Sequence, residues 1–190
     1  MKLPSKIRRA NRRAGLKPKS GWLPRPMPTH GNAVQSKTHS TGHDGILGRH
    51  GEGPSWEYFP HGSDVGIRAI GPTKSEAFVF AATALAALAA EPGTIRPMQA
   101  VPIACHAPND ELLLVDWLNA LIHEMVERKM LFSDFEVQLH PGTLRGWARG
   151  EAVDSGRHQI VAGLKGVTLA ELRVGRGAAG QWFAQCVVDV

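Results

Sequence analysis

Beyond a polar N-terminal segment, apolar residues recur along this chain with the two spacings that strands and helices produce. Between residues 65 and 70 they alternate, with Val65, Ile67 and Ala69 on one face, as in a half-buried strand. Between residues 114 and 125 they fall three and four positions apart, which is the spacing of one helix face. The full order is strand, strand, helix, strand, helix and then four strands. This order predicts an α+β fold in which two helices pack on one face of a largely antiparallel β-sheet.

Capping residues and turns mark where these elements begin and end. Thr73 followed by Glu76 forms a capping box, which predicts a helix over residues 74–90 that ends before Pro92 and Gly93. The other predicted elements are strands at 56–59, 65–70 and 98–105, a helix from about 108 to 129, and two hairpins that pair 131–140 with 143–152 and 165–174 with 181–190.

Residues 1–54 lack any hydrophobic period and contain five prolines within the first 28 positions. Such a segment cannot bury enough apolar surface to offset its ordering entropy, so it is predicted to be a disordered basic extension of a domain over residues 55–190. Residues 1–50 carry eleven Lys and Arg and one acid, whereas residues 51–190 carry eleven Lys and Arg and sixteen acids. The basic pI therefore describes the extension, and RNA is expected to be contacted only indirectly or through it.

Several functional classes are disfavoured by what the chain lacks. Cys105 and Cys186 lie in apolar surroundings and are interpreted as small buried hydrophobes. No zinc spacing, nucleophile elbow or glycine-rich phosphate loop is found. The longest mostly apolar stretch, residues 77–90, is shorter than the ~20 residues that span a bilayer. We therefore expect a cytoplasmic protein that does not bind membranes.

The chain ends on an apolar run that contains one carboxylate, Asp189. A charge in a packed strand is costly unless a partner stabilises it, and Asp64 opens another predicted strand far upstream. If the two strands are neighbours, Asp64, Asp189 and the oxygens of Val190 could form an oxygen-rich site for a divalent metal ion such as Ca²⁺. The alternatives are an Asx-turn role for Asp64 and a solvent-facing edge position for Asp189.

Four further polar residues are candidates for such a site or for a contact surface. His61 precedes Asp64 by three positions and could carry a proton or donate a hydrogen bond. Glu151 and His158 flank the loop before the last hairpin, and Lys165 opens the strand that follows it, where it could contact an anion. For each of them, an ordinary solvated position is the competing interpretation.

Residues 58–69, with His61, Asp64 and Gly66 in order, resemble the opening signature of the archease family. The resemblance extends over residues 56–190. Further matching segments are 75–78, 113–119, 147–151, 154–158, 165–168 and the final 188–190. It implies an accessory protein, not an enzyme, that promotes guanylylation and multiple turnover of an RtcB-type RNA ligase in tRNA splicing or RNA repair. It also implies metal binding at Asp64, Asp189 and Val190, with Ca²⁺ as the expected ion.

One segment departs from the family pattern. After Thr168 the family usually continues with an aromatic residue and a histidine, whereas this chain has Leu169 and Ala170. Two other functions remain open from the residues themselves. One is a metal-dependent phosphoester hydrolase that uses Asp64, Asp189 and His61. The other is a nucleic-acid-binding or chaperone-like module that acts through the basic extension.

Overall fold

The computed structural model describes residues 55–190, and the extension predicted over residues 1–54 lies outside the described residues. The described residues form seven strands and two helices in the predicted order. The elements are β1 (Ser55–His61), β2 (Asp64–Gly71), α1 (Lys74–Ala89), β3 (Gln99–His106), α2 (Asp110–Arg128), β4 (Met130–His140), β5 (Thr143–Ala152), β6 (Gly166–Arg176) and β7 (Trp182–Asp189), with a short 3₁₀ turn at Pro92–Thr94.

The strands are divided between two antiparallel sheets. One sheet has four strands in the order β1-β2-β7-β6, and the other has three in the order β3-β5-β4. The predicted α+β class, with two helices and antiparallel pairing, is confirmed. The single sheet expected from the sequence is in fact two sheets, because strand periodicity reports which face is buried but not which strands are joined by hydrogen bonds.

Helix α1 is a buried helix built mainly from alanine. The predicted capping box is present, since Thr73 Oγ1 accepts from the Glu76 N–H and the Glu76 carboxylate accepts from the Thr73 N–H. Small side chains let the helix approach β2 and β7 of one sheet and β4 of the other. Phe78 and Leu85 fill the space between these surfaces and are fully buried. Within residues 55–190, neither helix is both long enough and apolar enough to cross a membrane.

Helix α2 packs into the core through Trp117. This side chain is fully buried, and its Nε1 donates to the Phe78 carbonyl across the α1–α2 contact, with a separation of 3.4 Å. The helix begins at an Asn109 cap and ends at Lys129, whose φ of 52° closes the last turn in the left-handed region. Burying each large apolar side chain on this helix contributes about 1.5–3 kcal/mol.

The pairing of β2 with β7 determines which side chains reach solvent near the chain's end. Ile67 is paired with Cys186, and both belong to the core that faces the helices. Their strand neighbours therefore point to the opposite side, which we call the outer face of the four-stranded sheet. Position 66 lies on this face, and it is a glycine there because a Cβ atom would collide with the ring of Phe59, which covers it.

Candidate metal site at the end of the four-stranded sheet

Asp64 and Asp189 are brought together at one end of the four-stranded sheet. Asp64 is the first residue of β2 and Asp189 is the last residue of β7. The antiparallel ladder pairs Val65 with Val188, so Asp64 and Asp189 are the next residues to face each other. Directly opposed residues in an antiparallel pair have Cβ atoms about 4.5–5.5 Å apart and point to the same face. This register favours the proximity that the cation-site hypothesis requires.

His61 extends this pair into a row of three side chains across neighbouring strands. The β1–β2 hairpin pairs His61 with Asp64 and turns through Gly62, whose φ is +62°. Glycine suits this position because a side chain with positive φ is strained. His61 is exposed, so its imidazole is available to a partner molecule at the same edge as the two carboxylates.

Lys165 places a positive charge directly on this site. Its Nζ lies 2.6 Å from the main-chain oxygen of Val190 and 3.3 Å from Asp189 Oδ1. Its backbone N–H also donates to the Asp189 carbonyl at 2.9 Å. The Lys165 side chain is 64% exposed, so the ion pair with Asp189 contributes little to stability. The ammonium group nevertheless shows that the oxygens of Asp189 and Val190 attract a positive charge.

The donor set fits a hard cation. Asp64, Asp189 and the Val190 main-chain oxygen supply only oxygen ligands, which Ca²⁺ and Mg²⁺ prefer. Within residues 55–190, no group of three or more His, Cys, Asp and Glu side chains is placed to hold a metal ion. These residues would therefore bind an ion only in part, since Ca²⁺ takes about six to eight oxygen ligands, and water or a partner molecule would complete the shell.

Glu151 and His158 form a separate polar group at the end of β5. His158 Nδ1 accepts from the Asp154 N–H at 3.0 Å, which assigns the proton to Nε2, 3.2 Å from Glu151 Oε1. Hydrogen bonds from Arg157, followed by one from the Arg96 N–H, lower the pKa of Glu151 to about 2. Glu151 is thus ionised, and its carboxylate links β5 to Arg96 and to the loop that carries Arg157.

This polar group has a structural role in holding the loop after β5. The His158 side chain is completely buried, so it offers no surface to a partner. Among the hydrogen bonds and ion pairs of the described residues, none connects Glu151 or His158 with Asp64, Asp189 or Lys165. The structure therefore separates the predicted candidates into a row near Asp189 and a loop-holding group near Glu151.

Four residues on the outer face, Glu57, Arg68, Arg173 and Gln185, were not identified as functional candidates from the sequence. Arg68 donates from Nε to Gln185 Oε1 at 2.7 Å and from one terminal nitrogen to Glu57 Oε1 at 2.8 Å. Arg173 is paired in register with Gln185 from the other side. The alternation in β2 already placed Arg68 away from the core, but its partner Gln185 comes from a strand that is distant in sequence.

The described cysteines provide no nucleophile. Burial raises the pKa of Cys186 to about 12, and burial together with the charge of Asp116 raises that of Cys105 to about 12. Both thiols therefore stay neutral at physiological pH, as expected for the small buried hydrophobes predicted from the sequence.

The fold and the site together define an α+β protein with paired carboxylates at the end of a four-stranded sheet. The model of the archease protein family matches residues 56–190, and the chain belongs to the archease family. The archease of Pyrococcus furiosus is 31% identical over 139 residues, which cover 71% of this chain and 98% of that protein. The archease of Methanopyrus kandleri is 34% identical, with coverages of 71% and 99%.

A solved structure supports the same assignment. The solution structure of Methanobacterium thermoautotrophicum protein 1598 is similar to this chain with a TM-score of 0.64 and 25% identity. The similarity covers 72% of this chain and 99% of that one.

Proposed function

We propose that this protein is an accessory factor that promotes guanylylation and multiple turnover of an RtcB-type RNA ligase in tRNA splicing or RNA repair. In this proposal it catalyses no reaction itself and acts in the cytoplasm. Two facts support the proposal: the chain belongs to the archease family, and its resemblance to the family's motifs extends over residues 56–190 apart from Leu169 and Ala170. The ligase would be its direct partner, and RNA would be contacted only through the ligase or the N-terminal extension.

The observation that carries the mechanism is that Asp64 and Asp189 are the residues next to Val65 and Val188, the last pair of the β2–β7 ladder. In the proposed function these carboxylates and the Val190 main-chain oxygen bind a divalent ion, with Ca²⁺ as the expected one. When bound, such an ion supplies concentrated positive charge that attracts phosphate oxygens. The role of the protein's own residues is to hold the carboxylates on a rigid sheet edge and present them to the ligase.

Exposed residues beside the carboxylates define the proposed contact surface. His61 and Lys165 lie on opposite sides of the two carboxylates, and both are open to solvent. Lys165 holds Asp189 in place through the contacts described above. Glu151 and His158 are not part of this surface, since both are engaged in the loop after β5.

The test is multiple-turnover RNA ligation with the ligase limiting, comparing the wild type with Asp64→Ala and Asp189→Ala. We expect both variants to lose most of the stimulation. Glu127→Ala is the matched control, because Glu127 is an exposed carboxylate on α2 that makes no hydrogen bond or ion pair with the other described residues. Circular dichroism would verify that all variants are folded. Full stimulation by both folded aspartate variants would contradict the proposal.

Two results would instead favour the other functions considered. Turnover of a phosphoester without ligase, lost in Asp64→Ala, would identify a metal-dependent hydrolase. Loss of function on deletion of residues 1–54, together with RNA binding that weakens steeply with salt, would identify a nucleic-acid-binding module. We expect the deletion to retain stimulation.

A further inference from the structure

The outer face of the four-stranded sheet carries a row of polar residues across all its strands. Glu57 pairs with Arg68, Arg68 with Gln185, and Gln185 with Arg173, so one residue comes from each strand. Neighbouring strands lie about 4.7–4.9 Å apart, which places the two arginine Cα atoms about 10 Å from each other. Two guanidinium groups are thus directed to the same side, separated only by Gln185.

A surface pocket of about 290 Å³ lies beside this row. It contains two positive charges and no negative charge, since arginines are its only charged lining residues. Neither Glu57 nor Glu171, the acids closest to these arginines, lines the pocket. Its lining is formed by Arg68, Ile70, Arg173, Gly177, Gln181, Phe183 and Gln185.

The two arginines keep donors available to a ligand. Gln185, which is 4% exposed, fixes Arg68 by accepting from its Nε while donating to the Glu171 carbonyl at 3.0 Å. Arg68 Nη2 makes no hydrogen bond with any residue in 55–190. The Arg173 guanidinium has Glu171 Oε2 at 3.9 Å, beyond hydrogen-bond distance, and its side chain is 69% exposed.

Gln181 adds a polar atom without a partner. Its Oε1 is buried and makes no hydrogen bond with the described part of the chain. Leaving a buried acceptor unsatisfied costs about 1–3 kcal/mol, so such a group normally contacts water or a ligand. Phe183 and Ile70 bring apolar surface to the same pocket and reduce water's screening of the arginine charges.

We propose that this pocket is a phosphate-binding site, in which Arg68 and Arg173 donate to the oxygens of one phosphate group and Gln181 accepts from a hydroxyl group of the ligand. Guanidinium forks match phosphate geometry, and the arginine donors that Glu57 and Glu171 leave unused remain for the phosphate oxygens. The pocket lies four residues along β2 from Asp64, or about 13 Å, so it is separate from the candidate metal site. It does not depend on the proposed function.

The experiment is a titration of the ¹⁵N-labelled full-length protein followed by NMR at constant ionic strength. The signals to observe are the Nε–H groups of Arg68 and Arg173 and the side-chain amides of Gln181 and Gln185. Inorganic phosphate, adenosine monophosphate and a short single-stranded RNA are added separately, with chloride as the reference anion. We expect saturable shifts of these signals with phosphate compounds and none with chloride.

Substitutions distinguish a specific binding site from non-specific attraction of anions to positive charge. Arg173→Gln should weaken phosphate binding about ten-fold, since a hydrogen bond to a charged group is lost. Arg173→Lys should be intermediate. Arg176→Gln is the matched control, because Arg176 lies on the same strand but stacks on Trp182 at 5.2 Å, outside the pocket. Its affinity should stay within two-fold of the wild type.

Comparing the affinities of the three phosphate compounds also identifies the source of the phosphate. Tighter binding of the mononucleotide than of RNA would support the proposal and indicate a free phosphate monoester, whereas tighter binding of RNA would support it and indicate the RNA backbone. Absence of saturable shifts with every phosphate compound would overturn the proposal. Equal weakening by Arg173→Gln and Arg176→Gln would also overturn it.

Discussion

The ammonium nitrogen of Lys165 lies 3.3 Å from Asp189 Oδ1, at the site where a divalent ion is proposed to bind. Lys165 directly precedes β6, whereas Asp189 ends β7, and the backbone hydrogen bond between them fixes this arrangement. A lysine in this position has two effects. It neutralises part of the carboxylate charge when no ion is bound, and it opposes the binding of a second cation.

Replacing Lys165 by Met should therefore increase the affinity for Ca²⁺. Removing an exposed positive charge from beside the ligands changes the binding free energy by about 1 kcal/mol, or roughly five-fold in affinity. Isothermal titration calorimetry would measure the change. Arg145→Met is the control, because Arg145 is an exposed cation on β5 in the other sheet. An unchanged or weaker affinity in Lys165→Met would show that the lysine does not compete with the ion.

Acid should destabilise the protein in part through Glu151. Its pKa is lowered from 4.5 to about 2, so the folded state favours the ionised form and the associated stability is fully present above about pH 4.5. This stability is lost as the pH falls through about 2. The difference in unfolding free energy between wild type and Glu151→Gln should therefore be largest near neutral pH and shrink below pH 4.5. Urea unfolding at several pH values measures it, and a pH-independent difference would contradict this role.

The two thiols should be unreactive in the folded protein. Cys105 and Cys186 are buried, and a pKa of about 12 leaves almost no thiolate at pH 8. A thiol reagent such as dithionitrobenzoate should label neither residue under native conditions and both in denaturant. Rapid native labelling of either one would show that its strand opens readily.

Gly150→Ala should strongly destabilise the three-stranded sheet. A Cβ atom at Gly150 would collide with the main-chain carbonyl of Leu131, and backbone cannot move aside as a flexible side chain can. We expect a loss of about 3 kcal/mol or more in the free energy of unfolding. Gly163→Ala is the control, because open space surrounds that position and its φ is not positive. Thermal unfolding would measure both, and equal stabilities would contradict the close approach.

Local sequence signals were sufficient for most element positions. The Thr73–Glu76 capping box set the start of α1, and the helical spacing of Leu114, Trp117 and Leu121 identified the buried face of α2. These features depend on residues a few positions apart, whose interactions are the same in most folds. Helix and strand ends consequently agree with the structure to within one or two residues.

The strand β6 shows where local signals failed. Residues 165–174 were expected to form an uninterrupted strand, but the pairing with β7 is broken between Thr168 and Arg173. Leu169, which replaces an aromatic residue of the family pattern, lies in this irregular stretch and is 65% exposed, and Glu171 adopts a positive φ of 50°. A bulge depends on what the neighbouring strand can pair with, and strand periodicity does not contain that information.

The chain by itself determined that two helices and seven strands would form, which faces would be apolar, and that Asp64 and Asp189 would occupy strand ends. Only the tertiary structure decided that β2 lies beside β7, that the strands divide into two sheets, and that Lys165 rather than His158 reaches Asp189. The physical reason is that helix and strand formation depends on neighbouring residues, whereas strand order and register depend on packing between segments that are separated in sequence, by more than a hundred residues for β2 and β7.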